Sequence, residues 1–115
     1  MDGDGSLLMN LGTIAREQPK NLIGVVWDNE EWAQTGHQAS HTAKGTDLAQ
    51  VAQSCGISRA STVSDLEELE SAISMALGEE GPWFIVAKIQ ETEYLPVAPI
   101  EPELTVYRFR NSFSD

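Results

Sequence analysis

The sequence predicts an α/β protein with a mostly parallel sheet, because apolar strands alternate with helices along the chain. Two runs, residues 21–27 (NLIGVVW) and 83–89 (WFIVAKI), are almost wholly apolar, as expected of strands covered on both faces. Helical spacing of apolar residues and helix-capping residues mark the segments around them. With 115 residues, the chain is long enough for one small domain with a single core.

The first helix is predicted from Leu7 to about Gln18, after a tight turn at residues 1–5 (MDGDG). Ser6 is its expected N-cap, since a serine hydroxyl can accept a hydrogen bond from an N–H group of the first turn. Pro19 ends the helix because it cannot continue the hydrogen-bond ladder. Apolar residues with helical spacing predict that one face of this helix is buried.

The polar stretch 28–45 has neither a helical nor a strand period and predicts a long loop. Loops of that length in compact domains are usually functional or disordered. The elements expected after it are, in order, a helix at 48–54 capped by Asp47, a strand at 59–63, a helix opened by a capping box at 64–67 and ended by Gly78, and the strand at 83–89.

We assign residues 1–89 to an α/β domain and residues 90–115 to an extended C-terminal arm, which contains three prolines between positions 96 and 102. Only two residues precede the Gly3-Asp4-Gly5 turn, so we expect the sheet to lack the strand that should lead into it. An open sheet edge pairs readily with other chains. We therefore expect the isolated chain to form a homo-oligomer, with the arm covering the gap through its strand-forming residues Leu104, Val106, Tyr107 and Phe109.

The formal net charge of −11 disfavours nucleic acid and anionic membranes as partners, since both would repel the chain. A single cysteine, Cys55, excludes a disulfide within the chain and favours the reducing cytoplasm; we expect its thiol to be buried. No signal peptide opens the sequence, and no apolar run is long enough to span a bilayer. These features predict a cytoplasmic globular protein with no membrane partner.

The turn Gly3-Asp4-Gly5-Ser6 has the form of an anion site at the start of a helix. Glycines let the backbone approach a ligand closely, and the first N–H groups of a helix carry a partial positive charge. The carboxylate of Asp4 would repel a phosphate unless a divalent cation lay between them, and Mg²⁺ takes such hard oxygen ligands. The turn therefore predicts a phosphate group bound together with Mg²⁺.

The second half of this site is predicted at Asp28-Asn29-Glu30-Glu31, directly after the strand at 21–27. Open α/β sheets bind ligands at the carboxyl ends of their strands. The 22 residues between Gly5 and Asp28 suit one helix and one return strand. Both loops should therefore emerge at the same edge of the sheet.

Gly-Asp-Gly followed after twenty-odd residues by Asn-Asn or Asp-Asn resembles the motif of thiamine-diphosphate enzymes. The stretches GDGSLLMNLGTIA, PKNLIGVVWDNEEW and TGHQ look most like sulfopyruvate and phosphonopyruvate decarboxylases, which act on 2-keto acids. The resemblance extends from Met1 to about Ile89 and is to the C-terminal, diphosphate-binding domain of that family. It implies a three-layer α/β/α fold, truncated here at its N-terminus, that binds thiamine diphosphate and Mg²⁺.

The resemblance also implies roles for individual residues. Asp4 would ligate Mg²⁺ through its carboxylate, Asn29 through its amide oxygen and Glu31 through its backbone carbonyl. His37 departs from the pattern, because relatives commonly have glycine there. The residues implied to bind the cofactor are Gly3, Asp4, Gly5, Ser6, Asn29, Glu31, Thr35 and Gly36.

In the family that the chain resembles, the glutamate that activates the cofactor lies on a pyrimidine-binding domain or subunit. That domain is not in this chain, so no catalytic residue is assigned here, and we expect no decarboxylation of a 2-keto acid by the chain alone. Two alternatives stay open. One is a carboligase fragment of the acetolactate-synthase type, which shares the metal motif; the other is a non-catalytic fragment that binds only a partner protein.

Overall fold

The computed structural model describes residues 2–90 and 101–113. The elements of these ranges are, in chain order, β1 (Asp2–Gly3), α1 (Asp4–Glu17), β2 (Ile23–Asp28), β3 (Glu31–Trp32), β4 (Gln38–Ala39), α2 (Leu48–Ser54), β5 (Arg59–Val63), α3 (Leu66–Gly78), β6 (Trp83–Lys88) and α4 (Pro102–Asn111). In this part of the chain, a four-stranded sheet has the order β1-β2-β6-β5 with all neighbours parallel. Strands β3 and β4 form a separate antiparallel hairpin.

Helices cover both faces of the sheet. Helices α1 and α2 pack on one face, where the buried apolar cluster includes Leu7, Leu48 and Phe84. Helix α3 packs on the other face, where Ala72 and Ile85 belong to a second buried cluster. The predicted three-layer α/β/α fold with a mostly parallel sheet is therefore confirmed.

Capping residues place the starts of α2 and α3. Helix α2 begins after Asp47, whose carboxylate accepts a hydrogen bond from the N–H of Gln50 at 3.0 Å, and this bond lowers the pKa of Asp47. Helix α3 begins after Asp65, which accepts from the N–H of Glu68 at 2.8 Å. The capping box thus lies one residue later than predicted, while the bounds of α2 agree with the prediction.

The prediction that Ser6 caps the first helix is wrong. Helix α1 begins at Asp4, its N-cap is Gly3 in an extended conformation, and no side chain of the described residues caps it. Ser6 lies within the first turn and donates its hydroxyl proton to the carbonyl of Gly3 at 3.5 Å. The expectation that the sheet lacks the strand leading into this turn is also wrong, because the two residues of β1 pair with β2. The chain passes straight from β1 into the helix, and the N-terminus of α1 lies at the edge of the sheet.

Residues 28–45 contain more regular structure than the predicted long loop. They hold the β3–β4 hairpin and two 3₁₀ turns, at Ala33–Thr35 and Thr42–Lys44. The N–H of Ser40 donates to the carbonyl of Glu30 at 2.9 Å and closes the base of the hairpin. The sequence shows no period here because each strand of the hairpin is only two residues long.

The extended conformation predicted for the C-terminal arm is wrong for residues 102–111, which form helix α4. A proline at its start and basic residues in its last turn favour a helix at this position. Residues 91–100 lie outside the described residues, so the boundary near residue 90 stays a prediction, as does the homo-oligomer. The residues expected to form a strand lie on α4 and are exposed: Leu104, Val106, Tyr107 and Phe109.

Two further expectations concern Cys55 and membrane-spanning helices. Cys55 is exposed rather than buried, because it is the C-cap residue of the short helix α2. Among the described ranges, no helix has the length and apolar character needed to cross a membrane.

Candidate functional site

The register of the sheet brings the ends of three strands together. Gly3 lies opposite Trp27 of β2, and Asp28 at the end of β2 lies opposite Lys88 of β6. Because these strands are parallel, Asp4, Asp28 and Lys88 follow one another along the carboxyl edge of the sheet. The two loops that carry the sequence motifs therefore meet at one sheet edge, as predicted.

An open cavity of about 440 Å³ lies at this edge, between the N-terminus of α1 and the β3–β4 hairpin. Most of the residues predicted to bind a cofactor line it: Gly3, Asp4, Gly5, Ser6, Asn29, Glu31 and Thr35. Gly36 follows Thr35 in the chain but is not among the described residues that line the cavity. Four further residues line the cavity: Trp27, Trp32, Ala33 and Ile89.

Asp4 is the first residue of α1, and it is buried, with 3% of its surface exposed. Ser40 donates its hydroxyl proton to Oδ2 of Asp4, and the hydroxyl of Thr42 lies 3.1 Å from the same oxygen. Among the described residues, no basic side chain forms an ion pair with Asp4. A buried carboxylate is costly unless a positive charge compensates it, so this position favours binding of a cation.

Asp28, the last residue of β2, is held by an ion pair. Its Oδ2 lies 2.8 Å from Nζ of Lys88, and its Oδ1 accepts from the hydroxyl of Thr42 at 2.6 Å. Lys88 also contacts Oε1 of Glu30 at 2.7 Å. Burial opposes the charge of Lys88, but the hydrogen bonds to Asp28 and Glu30 outweigh it and raise the pKa of Lys88. Lys88 thus compensates Asp28, whereas the described residues provide no basic side chain for Asp4, which lies beside the cavity.

Asn29 and Glu31 border the cavity on the side of the hairpin. Oδ1 of Asn29 accepts a hydrogen bond from the N–H of Glu31 at 3.2 Å, which forms an Asx turn. Nδ1 of His37 lies 2.9 Å from Oε2 of Glu31. The φ angle of His37 is 58°, in the left-handed region that favours glycine, which agrees with the glycine common at this position in the family that the sequence resembles.

The indole of Trp32 lies directly against the backbone of Gly5. A Cβ atom added at Gly5 would be only 2.3 Å from Cη2 of Trp32, closer than real atoms approach. A larger residue at position 5 would therefore displace the indole from the N-terminus of α1. The contact explains why this position of the turn needs a glycine.

We expect Gly5→Ala to displace Trp32 and to lower the free energy of unfolding by about 1–3 kcal/mol, as overpacking does. Gly12→Ala in the same helix is the matched control, because an added Cβ there meets none of the described atoms within 4 Å. That substitution should raise the free energy of unfolding by about 0.5–1 kcal/mol, since alanine is the better helix former. Denaturant unfolding followed by tryptophan fluorescence measures both, and equal changes would contradict the close contact.

The oxygen atoms around the cavity fit a divalent cation. Both described hydroxyls that approach the Asp4 carboxylate, those of Ser40 and Thr42, lie next to Oδ2, so Oδ1 is the atom left for a ligand. The described residues contain no group of three or more His, Cys, Asp or Glu side chains that could hold a metal. A cation here would therefore depend on one carboxylate, on amide and carbonyl oxygens and on a phosphate, a set that suits Mg²⁺.

Sequence reasoning missed three residues that shape the site: Ser40, Thr42 and Lys88. The sequence contains a weak indication of Lys88, because it is the single charged residue near the end of an apolar strand. It contains no such indication of Ser40 and Thr42, because their hydroxyls reach Asp4 across 36 and 38 residues of chain.

Known proteins are similar to this chain over most of its length. The model of the family described as thiamine pyrophosphate enzyme, C-terminal TPP binding domain, matches residues 1–87. Sulfopyruvate decarboxylase subunit beta of Methanocaldococcus jannaschii is 44% identical over 113 residues, which are 95% of this chain and 60% of that protein.

Two further relatives are less similar in sequence. The corresponding beta subunit of Methanococcus maripaludis is 38% identical over 116 residues, covering 97% of this chain and 62% of that protein. Phosphonopyruvate decarboxylase of Streptomyces hygroscopicus is 32% identical over 123 residues, covering 96% of this chain and 28% of that protein. The chain therefore spans about three fifths of the length of the beta subunits that it matches.

Proposed function

The chain belongs to the thiamine pyrophosphate enzymes, through their C-terminal TPP-binding domain, and we propose that it binds the diphosphate and Mg²⁺ within a 2-keto acid decarboxylase. The observation that carries this proposal is the buried carboxylate of Asp4, which borders a cavity together with Asn29 and Glu31. The names of the relatives support a sulfonated or phosphonated pyruvate as the substrate. They favour decarboxylation over the carboligase alternative.

Each part of the site has a distinct task in this proposal. Asp4, Asn29 and Glu31 provide a carboxylate, an amide oxygen and a backbone carbonyl for Mg²⁺. The residues proposed to surround the diphosphate, at the N-terminus of α1 and on the hairpin, are Gly3, Gly5, Ser6, Thr35 and Gly36. When bound, thiamine diphosphate supplies the electron sink that lets a 2-keto acid lose CO₂.

A second domain or subunit completes the enzyme in this proposal. Two of the relatives are named as beta subunits, which supports a separate partner chain. That partner would bind the pyrimidine end of the cofactor and bring the activating group. The chain described here would then release no CO₂ from sulfopyruvate or phosphonopyruvate by itself and would do so once assembled with the partner.

Metal removal tests the proposed binding role. We expect the assembled enzyme, dialysed against EDTA, to bind thiamine diphosphate in calorimetry only after Mg²⁺ is restored, because Asp4 and the diphosphate would otherwise repel each other. Thiamine, which lacks the diphosphate, is the matched ligand control and should not respond to Mg²⁺. Equal affinity for thiamine diphosphate with and without Mg²⁺ would contradict the proposal.

A further inference from the structure

Two hydroxyl groups are buried where the chain returns from the hairpin to the sheet edge. Ser40 is 2% exposed and Thr42 is 6% exposed, although both lie outside the α-helices and β-strands. Buried polar groups are stable only when they form hydrogen bonds, so their partners show what they do. Both partners are carboxylates at the ends of neighbouring strands, Asp4 after β1 and Asp28 in β2.

Because each hydroxyl has a single proton, the distances show to which carboxylate each hydroxyl donates its hydrogen bond. Each hydroxyl carries one proton and can donate it to one acceptor at a time. The oxygen of Thr42 lies 2.6 Å from Oδ1 of Asp28 and 3.1 Å from Oδ2 of Asp4, so its proton goes to Asp28. The proton of Ser40 then goes to Oδ2 of Asp4, and the two hydroxyl oxygens are 2.9 Å apart.

We propose that Ser40 and Thr42 form a hydroxyl clamp that positions Asp4 for Mg²⁺, an inference that rests on the proposed function. Ser40 fixes Oδ2 of Asp4 and thereby leaves Oδ1 for the cation. Thr42 donates to Asp28, which is itself held by Lys88 of β6, and so fixes the backbone of residues 40–42 from which the Ser40 hydroxyl reaches Asp4. Both are positioning residues, since Ser40 acts through the carboxylate of Asp4 and Thr42 acts by holding Ser40 in place.

The clamp also explains why Ser40 and Thr42 are buried. It ties the segment at residues 40–42 to α1 through Asp4 and to β2 through Asp28. Groups that orient a metal ligand in this way typically contribute about 10–100-fold to metal affinity. Loss of the Ser40 or Thr42 hydroxyl should therefore weaken Mg²⁺ binding by that factor while the cavity keeps its shape.

The test measures the Mg²⁺ concentration that gives half-maximal binding of thiamine diphosphate to the assembled enzyme. Ser40→Ala and Thr42→Val should each raise this concentration about 10–100-fold. Thr42→Ser keeps the hydroxyl and should stay close to the wild type. Thr62→Val, at an exposed position of β5, is the control for exchanging threonine for valine and should change nothing.

A second measurement separates positioning from general damage to the fold. At saturating Mg²⁺, the affinity of Ser40→Ala and Thr42→Val for thiamine diphosphate should return to the wild-type value, because excess metal compensates for a misplaced ligand. Weakened binding at every Mg²⁺ concentration, or an unchanged half-maximal concentration in both variants, would overturn the clamp. If the wild type itself bound without Mg²⁺, the proposed function would fail instead.

Discussion

Asp4→Asn is expected to abolish Mg²⁺-dependent binding of thiamine diphosphate to the assembled enzyme, with a loss of affinity on the order of 100-fold or more. Asparagine keeps the shape of the side chain, and its amide oxygen can still accept the hydroxyl proton of Ser40. The substitution therefore removes mainly the charge that attracts the cation. Asp4→Ala should abolish binding as well, but it also leaves the buried hydroxyl of Ser40 without its acceptor.

The Asp4→Asn substitution should lower the affinity for the cofactor but raise the free energy of unfolding in EDTA. Asp4 is buried and forms no ion pair with the described basic residues, so we expect its side chain to contribute less to stability in EDTA than a neutral side chain of the same shape. We expect Asp4→Asn to raise the free energy of unfolding in EDTA, measured by denaturant titration. Asp47→Asn is the matched control, since Asp47 also begins a helix but lies on the exposed surface. If calorimetry showed that Asp4→Asn binds thiamine diphosphate and Mg²⁺ as tightly as the wild type does, Asp4 would not be a metal ligand.

Lys88→Met is expected to lower the free energy of unfolding by about 2–4 kcal/mol, because it leaves Asp28 buried without its cation. The lower part of the range reflects the partial exposure of the Lys88 side chain, which is 37% accessible to solvent. Lys20→Met is the matched control. Its pair with Glu80 is 76% and 74% exposed, so a change within about 0.5 kcal/mol is expected.

Two further measurements identify the cause of this loss. The double variant Asp28→Asn with Lys88→Met should be more stable than Lys88→Met alone, because position 28 then no longer holds an unpaired buried charge. The pKa of Lys88 is raised above its ordinary value of 10.5, so the pair stabilises the protein below pH 10.5 and this contribution is lost as the pH rises through the higher, folded-state pKa. The stability difference between wild type and Lys88→Met should therefore shrink in strongly alkaline buffer. A difference that does not depend on pH would contradict the role of the pair.

The sequence by itself determined the α/β class, the layers and, to within about two residues, the bounds of the elements β2, α2, β5, α3 and β6. These follow from local patterns: Asp47 and Asp65 start helices through hydrogen bonds within four residues, and apolar runs mark the strands β2 and β6. The spacing between Gly5 and Asp28 also sufficed to predict that two loops meet at one edge of the sheet. When two parallel strands are joined by one helix, the loops that follow the two strands must lie at the same edge of the sheet.

Only the tertiary structure decided what surrounds the predicted ligands. The hydroxyls of Ser40 and Thr42 reach Asp4 from more than 30 residues away, and Trp32 covers Gly5 from the hairpin. Such contacts depend on how a loop without any period folds back over the sheet, and no local pattern records that path. The pairing of Asp28 with Lys88 likewise depends on the register between β2 and β6, which is set by packing across the whole sheet.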